Sequence, residues 1–368
     1  MNNFIQALYK KISESENNNF GIENYDEYRF GKYAPLNKGN EGVIYQLKKV
    51  IKKIIRHRGS FIAAEQFIDS YETGLQRIWE NLSTHDKNLF VELIAYRVFG
   101  YEKIKLSRNN NAYWDAIKKA EELADQNDSI DPHFMHFILE KFDLNPVGYD
   151  IRLYFSAIAI AIDFLLEQYA YKIGGREIVY VEKGDIVLDI GGCWADTALY
   201  FAHKTGPSGM VYSFEFIPGN IKLHKINTAL NPELKDHIRL VEHPVWDKTG
   251  EKIFFRDNGP GSKIEFTSFE DQTGSATTIS IDDFVLANNI QKVDFIKMDI
   301  EGAEPTALKG AIKTIEKHRP KLAIATYHSM DDFVNIPNWI LDLGLDYEIF
   351  IGHYTIHVEE TICFAKPK

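Results

Sequence analysis

Ile186-Val187-Leu188-Asp189-Ile190-Gly191-Gly192-Cys193-Trp194-Ala195-Asp196-Thr197 is the stretch on which the reading of the fold turns. Five mostly β-branched, apolar residues make a short buried strand, two glycines break it, and helical spacing resumes from Ala195 to His203. Glycines placed just after a strand let backbone approach a ligand without a Cβ clash. The same rhythm continues outward. Gly206-Pro207-Ser208-Gly209 is a turn, Met210 to Glu215 a strand, Asn220 to Leu230 a helix and Ile238 to Glu242 a third strand. Val293 to Met298 and Leu322 to Thr326 read as further strands, each followed by a helical pattern. Strands alternating with helices predict a parallel, doubly wound α/β sheet. Tyr347 to Ile351 and Thr361 to Ala365 read as a terminal hairpin.

The chain changes character near residue 150, which sets the expected domains at 1–150 and 151–368. The first half is read as mainly helical. Apolar residues recur at helical spacing from Ile44 to Ile55, Phe61 to Leu82 and Leu89 to Phe99. Ser83, with an acid three residues on at Asp86, reads as a helix start. Asn109-Asn110-Asn111 reads as a loop before a charged helix ending near Asp125, and Tyr154 to Tyr171 as one long buried helix. Leu47 to Arg58 is basic and amphipathic. It fits a helix that packs on its own domain, or a weak peripheral contact with anionic lipid.

The 368 residues carry 42 basic and 53 acidic side chains, a formal charge of −11. That balance argues against broad nucleic-acid binding, which needs many Lys and Arg on phosphates. Two cysteines, Cys193 and Cys363, point to a reducing compartment. The polar N-terminus lacks a signal-peptide core. Phe155 to Leu166 is too short to span a bilayer core, which takes ~20 apolar residues. The expected setting is cytoplasmic, with no transmembrane segment; oligomeric state is not legible.

In doubly wound sheets, ligands bind beyond the carboxyl ends of the strands. Glu215 stands at such an end, 26 residues after Asp189, where an acid can accept hydrogen bonds from both ribose hydroxyls of a nucleoside cofactor. That pair alone does not separate a nicotinamide dinucleotide from S-adenosylmethionine. A dinucleotide needs a glycine-lined helix N-terminus for its pyrophosphate. Here Trp194 and Asp196 stand in that turn. Asp196 would repel phosphate and would suit the cationic methionine end, which favours S-adenosylmethionine. Asp299, Glu301 and Glu304 follow another strand. This cluster can bind a cation, orient an amino group or help deprotonate a hydroxyl, and dipole complementation alone accounts for Glu304. Tyr327-His328 ends the next strand, where a His is placed to act as a general base. His353 is similarly placed.

These segments resemble the FkbM family of methyltransferases. The resemblance rests on Val187–Ala202, Tyr212–Phe216, Val245-Trp246-Asp247, Ser280–Asp283 and Phe295–Glu304, with Tyr327-His328 and Glu360-Thr361 also fitting. It covers roughly residues 180 to 366 and implies a class I methyltransferase (Rossmann-like) doubly wound sheet behind a helical N-terminal domain. It implies S-adenosylmethionine as cofactor, held by Asp189, Gly191, Gly192, Asp196, Glu215, Phe216, Val245, Trp246 and Asp299, with Trp246 near the adenine. It further implies O-methylation of a hydroxyl on a sugar, glycoconjugate or secondary metabolite, as in polysaccharide biosynthesis. The family's third glycine is Ala195 here, tolerable at a helix start if φ is negative.

The expected catalytic pair is His328 as base and Asp299 as its positioning group. Asp299, Glu301 and His328 are the candidates for a divalent cation that would acidify the hydroxyl. The competing readings are a non-catalytic cofactor-binding protein and a nucleotide-sugar or NAD enzyme on a similar sheet.

Overall fold

The computed structural model describes residues 3–15, 18–20, 24, 70–134 and 137–368. The Leu47–Arg58 stretch, and with it the lipid-contact expectation, lies outside them. The chain divides into two compact units, 1–110 with 355–359, and 111–354 with 360–368. The division falls at Asn110/Asn111, forty residues before the expected boundary near 150.

In the first unit, helices Asn3–Ser15, 70–81 and Thr84–Phe99 bury Phe4, Leu8, Leu75, Ile78 and Phe90. Phe4 meets Trp79 at 5.7 Å and Phe90 at 6.2 Å between ring centroids. The Ser83 hydroxyl accepts from the Asp86 amide at 3.3 Å, the cap its sequence predicts. Buried Glu92 accepts from Lys11 at 3.0 Å and from the Ser107 amide at 2.7 Å.

The second unit opens with helix Asn111–Leu123 and an antiparallel sheet of β1 (Ala124–Ile130), β2 (Leu139–Asp143) and β3 (Arg152–Phe155). The expected helical character up to 150 therefore fails after Leu123. The long helix expected from Tyr154 to Tyr171 is also absent. There, β3 ends at Phe155, and the Ser156 hydroxyl caps a helix of four residues, Ala157–Ile160. A π-helical turn, Ala161–Leu165, follows. An almost unbroken apolar run has no period, so its spacing cannot tell buried strand from buried helix. β4 (Tyr171–Ile173) and β5 (Arg176–Val179) then form a hairpin.

β6 (Ile186–Ile190), β7 (Met210–Phe214), β8 (Ile238–Val241), β12 (Phe295–Met298), β13 (Lys321–Ala325), β14 (Tyr347–His353) and β15 (Thr361–Pro367) make the seven-stranded sheet. Between β8 and β12, a side sheet pairs β9 (Lys252–Arg256) with β10 (Lys263–Glu265) and β11 (Gly274–Thr277). The main order is β14-β15-β13-β12-β6-β7-β8, parallel except that β15 runs antiparallel to both neighbours. This is the class I methyltransferase arrangement. The central strands β6 and β12 are buried on both faces, which is why they read as apolar runs. The order reverses beside β6, so the open crevice lies past the ends of β6 and β12, next to the glycine turn.

Candidate active site

The β6 turn is held from below. Asp189 is fully buried and accepts from Thr197 Oγ1 at 3.0 Å, Ser213 Oγ at 3.1 Å and Lys297 Nζ at 3.1 Å. Lys297 also donates to the Gly191 carbonyl at 2.6 Å. Burial alone would push this ammonium down, but Asp189, Asp299 and Asp196 hold it above its ordinary value. With its carboxylate taken by three partners, Asp189 serves the crevice through the turn it fixes.

Gly191 and Gly192 are required by protein rather than by ligand. A β-carbon on Gly191 would run into the Asp299 carbonyl, and one on Gly192 into the Ser213 hydroxyl. Ala195 has φ 73°, not the negative value expected, so alanine occupies a left-handed position that favours glycine. Its methyl is fully buried and does not face the solvent. Trp194 also departs from expectation. Its indole turns inward, 5% exposed, and donates to Asn220 at 3.0 Å, so it does not stand where a pyrophosphate would lie. The case against a dinucleotide therefore rests on the acids.

Those acids are more numerous than the sequence motifs showed. Asp196 is 7% exposed, and its Oδ1 takes no hydrogen bond. Burial pushes it up to about 6, against the pull of Lys297. Asp163, on the π-helical turn, is raised well above the usual carboxylate range by burial, then by Asp196 and Glu360. Glu360, at the entry to β15, accepts from Gln168 at 2.5 Å. In the sequence, Asp163 is only a charge within the apolar run Phe155 to Leu166.

Glu215 ends β7 as expected and is 7% exposed. Its Oε1 accepts from the Phe216 and Ile217 amides at 2.6 and 2.7 Å, and its Oε2 from Asn220 at 3.0 Å. Burial outweighs these bonds and lifts it to about 7. Phe216 packs edge-on to Phe255 at 5.5 Å and lines an open groove of about 560 Å³ with Pro218 and Ile221. Val245 is buried and bridges Ile279. The Trp246 amide donates to the Ile279 carbonyl at 3.0 Å, and its indole lies 5.1 Å from the Phe266 ring. The Trp246 N–H is thus already engaged and does not offer itself to a base edge.

Beside the turn, the parallel ends of β12 and β13 bring Asp299 and His328 together. His328 Nε2 lies 3.4 Å from Asp299 Oδ1 and 3.7 Å from Glu301 Oε2, and Nδ1 lies 3.3 Å from Glu304 Oε1. Positive φ at Glu301 (58°) and Gly302 (93°) folds the chain so that Asp299 and Glu304 face one imidazole. Burial would lower His328, but Glu304, Asp299 and Glu301 outweigh it and lift the ring to about 9. At neutral pH it carries its proton, so it is not the free base the sequence predicts. Tyr327 and Tyr169 hydroxyls each donate to Asp299 at 3.0 Å. Burial, then Asp299 and Glu360, hold both phenols well above their ordinary values, so they stay donors. Glu301 is exposed, whereas Glu304 is fully buried within the cluster, a position that dipole complementation does not account for. His353, the secondary candidate, is buried and bonds Thr361 at 2.9 Å.

S-Adenosylmethionine fits these residues. Glu215 offers a carboxylate where ribose hydroxyls would need an acceptor. Buried Asp163 and Asp196 and half-buried Glu360 gather three carboxyl groups, with an orphaned oxygen on Asp196, suited to an ammonium and a sulfonium. A pyrophosphate would meet the same acids at like charge.

Residues 175–348 match the methyltransferase FkbM domain. A methyltransferase FkbM from Methylobacillus flagellatus KT is similar in structure, with 17% identity and a TM-score of 0.51 over 82% of this chain. The chain spans 60% of that protein's length. An Aeropyrum pernix fibrillarin with bound S-adenosyl-L-methionine aligns at 12% identity over 62% of this chain and 89% of its own, with a TM-score of 0.34. A precorrin-6y C5,15-methyltransferase from Geobacter metallireducens GS-15 aligns at 12% identity over 51% and 82%, with a TM-score of 0.31. No curated protein matches the sequence. Residues 175–348, a little under half of the chain, thus form a segment similar to the methyltransferase FkbM domain.

Proposed function

We propose that this protein is an S-adenosylmethionine-dependent O-methyltransferase whose acceptor is a hydroxyl of a sugar, glycoconjugate or secondary metabolite. The observation that carries the reading is the Asp299–His328 pair, 3.4 Å apart, beside a crevice built for a cationic nucleoside. When bound, the cofactor supplies an already activated methyl group. The protein's work is to hold the acceptor in line, exclude water and remove a proton. Glu215 and Asp196 bind the donor, with Gly191 and Gly192 shaping the turn. Asp299 orients the acceptor hydroxyl and accepts its proton. With no cation bound, His328 carries its proton at neutral pH, fixes Asp299 and balances the developing negative charge. This keeps both expected catalytic residues and exchanges their roles.

A polyhydroxylated acceptor fits the dense hydrogen-bonding rim of Asp299, Glu301, Tyr327 and His328. Among the described residues no helix is long and apolar enough to cross a membrane. The proposed setting is the cytoplasm, where the methyl donor is made.

The test has two stages. Calorimetry with S-adenosylmethionine and with NAD comes first: binding of the first and not the second is expected, and the reverse overturns the reading. A panel of sugars, nucleotide sugars and phenols is then scored for S-adenosylhomocysteine release and for methyl ethers. Methylation at carbon or nitrogen only would refute the O-transfer assignment.

A further inference from the structure

We propose that Asp299, Glu304 and His328 form a binding site for one divalent first-row transition ion, placed to hold the acceptor hydroxyl. The inference rests on the reading above for its purpose, but not for its geometry. One ligand atom from each residue can be chosen so that all three lie within 4.8 Å of one another. Donors held ~2.0–2.3 Å from a divalent ion lie up to about 4.5 Å apart, so only small side-chain shifts are needed.

Two independent features point to an occupant. Glu304 is fully buried; its Oε1 accepts from the Ile300 amide at 2.6 Å, while its Oε2 takes no hydrogen bond. A buried carboxylate oxygen without a partner is costly unless a cation or donor comes to it. The His328 ring, 10% exposed, makes no well-formed hydrogen bond from either nitrogen, although carboxylates stand on both sides. Lys297 is the buried ammonium nearest in sequence, and it is engaged by Asp189 and the Gly191 carbonyl.

The surroundings match those of a metal ligand set. Tyr169 and Tyr327 donate to Asp299 and fix its orientation, as outer partners do for ligating carboxylates. The Ile300 amide does the same for Glu304. Asp299 and His328 side chains are 16% and 10% exposed, which leaves an entry path and open coordination positions. Two carboxylates with one imidazole suit Mn²⁺, Fe²⁺ or Zn²⁺ better than Mg²⁺ or Ca²⁺, which favour all-oxygen shells. The sequence named Glu301 as the third candidate; the structure replaces it with Glu304. A hydroxyl on such an ion is acidified and oriented at once.

The probe is Mn²⁺ added to chelator-treated, full-length protein, with neither methyl donor nor acceptor present. Loss of the free-ion electron paramagnetic resonance signal should show one ion per chain. Pulsed measurements on the wild type should show coupling to an imidazole nitrogen. Glu304→Gln and His328→Asn should each weaken binding by about tenfold or more. Both variants should still bind S-adenosylhomocysteine, which controls for folding. Absence of binding by folded wild type, binding without nitrogen coupling, or binding undiminished in both variants overturns the site. Because no methyl transfer is read, failure here leaves the O-methyltransferase reading standing, and failure of that reading leaves an observed ion in place.

Discussion

Lys297→Met removes a buried cation that ties Asp189 on β6, the Gly191 carbonyl of the turn and β12 together. Lys297 is 2% exposed and Asp189 0%, so the pair is cut off from water. Removing one partner of such a pair leaves an uncompensated buried charge, which costs about 3–5 kcal/mol. Methionine keeps most of the stem's packing, so little of this is lost contact. Asp189 retains its bonds from Thr197 and Ser213, which places the cost near the lower end of that range. The Gly191 carbonyl loses its ammonium donor as well. For a unit of roughly 250 residues, the melting temperature should fall by roughly 6–20 °C. The assay is urea and thermal denaturation by circular dichroism, run as a cycle with Asp189→Asn. The double variant should recover about 1–3 kcal/mol relative to the sum of the singles. A loss under about 1 kcal/mol for Lys297→Met, or strict additivity, would refute the claim that this pair organises the turn.

Four further outcomes follow from the acids and the imidazole. Glu215 is raised from 4.5 to about 7 when folded, so the native state holds a proton that the unfolded chain has released. The stability this provides is present below pH 4.5 and lost as pH rises through 7; denaturation at pH 5 and pH 8 should show it, and Glu215→Gln should flatten it. Donor binding needs the ionised carboxylate, so affinity should weaken about tenfold one pH unit below 7, measured by calorimetry; a flat wild-type profile sinks this assignment. Asp163→Asn should stabilise the ligand-free protein at pH 8, where burial beside Asp196 and Glu360 opposes ionisation of Asp163, and should weaken donor binding, because it removes a carboxyl that the cationic donor would draw into its ionised form; unchanged affinity would remove Asp163 from the site. His328→Ala should lower kcat about 10²–10⁴-fold with the donor Kd unchanged, and full turnover by this variant would exclude a catalytic role.

The sheet was legible because its central strands are buried on both faces and therefore read as apolar runs bounded by turns. The ends of β6, β7, β12 and β13 fall within two residues of expectation. β1 was not legible, since Ala-Asp-Gln-Asn-Asp-Ser-Ile is polar, mostly not buried and poor in strand formers. Its partners, not its composition, make it a strand. The same holds for the crevice. Glu215, Asp299 and His328 sit at strand ends where topology puts ligands, so position alone singled them out. Asp163, Tyr169 and Lys297 have no such signal. Asp163 and Tyr169 come from a segment whose periodicity misled, and Lys297 sits inside a strand, where a charge reads as an exception. Glu304 was visible but undervalued, because a first-turn acid already has an ordinary explanation. The sign of φ at Ala195 cannot be read from a sequence at all.

The place of β15 has a consequence in time. This strand is slotted between β13 and β14, both made before it, and runs against each. Until it arrives, β13 presents a bare edge and β14 has no neighbour in the sheet. Glu360, one of the acids around the donor crevice, immediately precedes it. The crevice therefore matures in the same late event that seals the sheet. A nascent chain that has completed residues up to 350 would hold the glycine turn and the Asp299 loop, yet would lack both its final wall and its protection against edge-to-edge pairing.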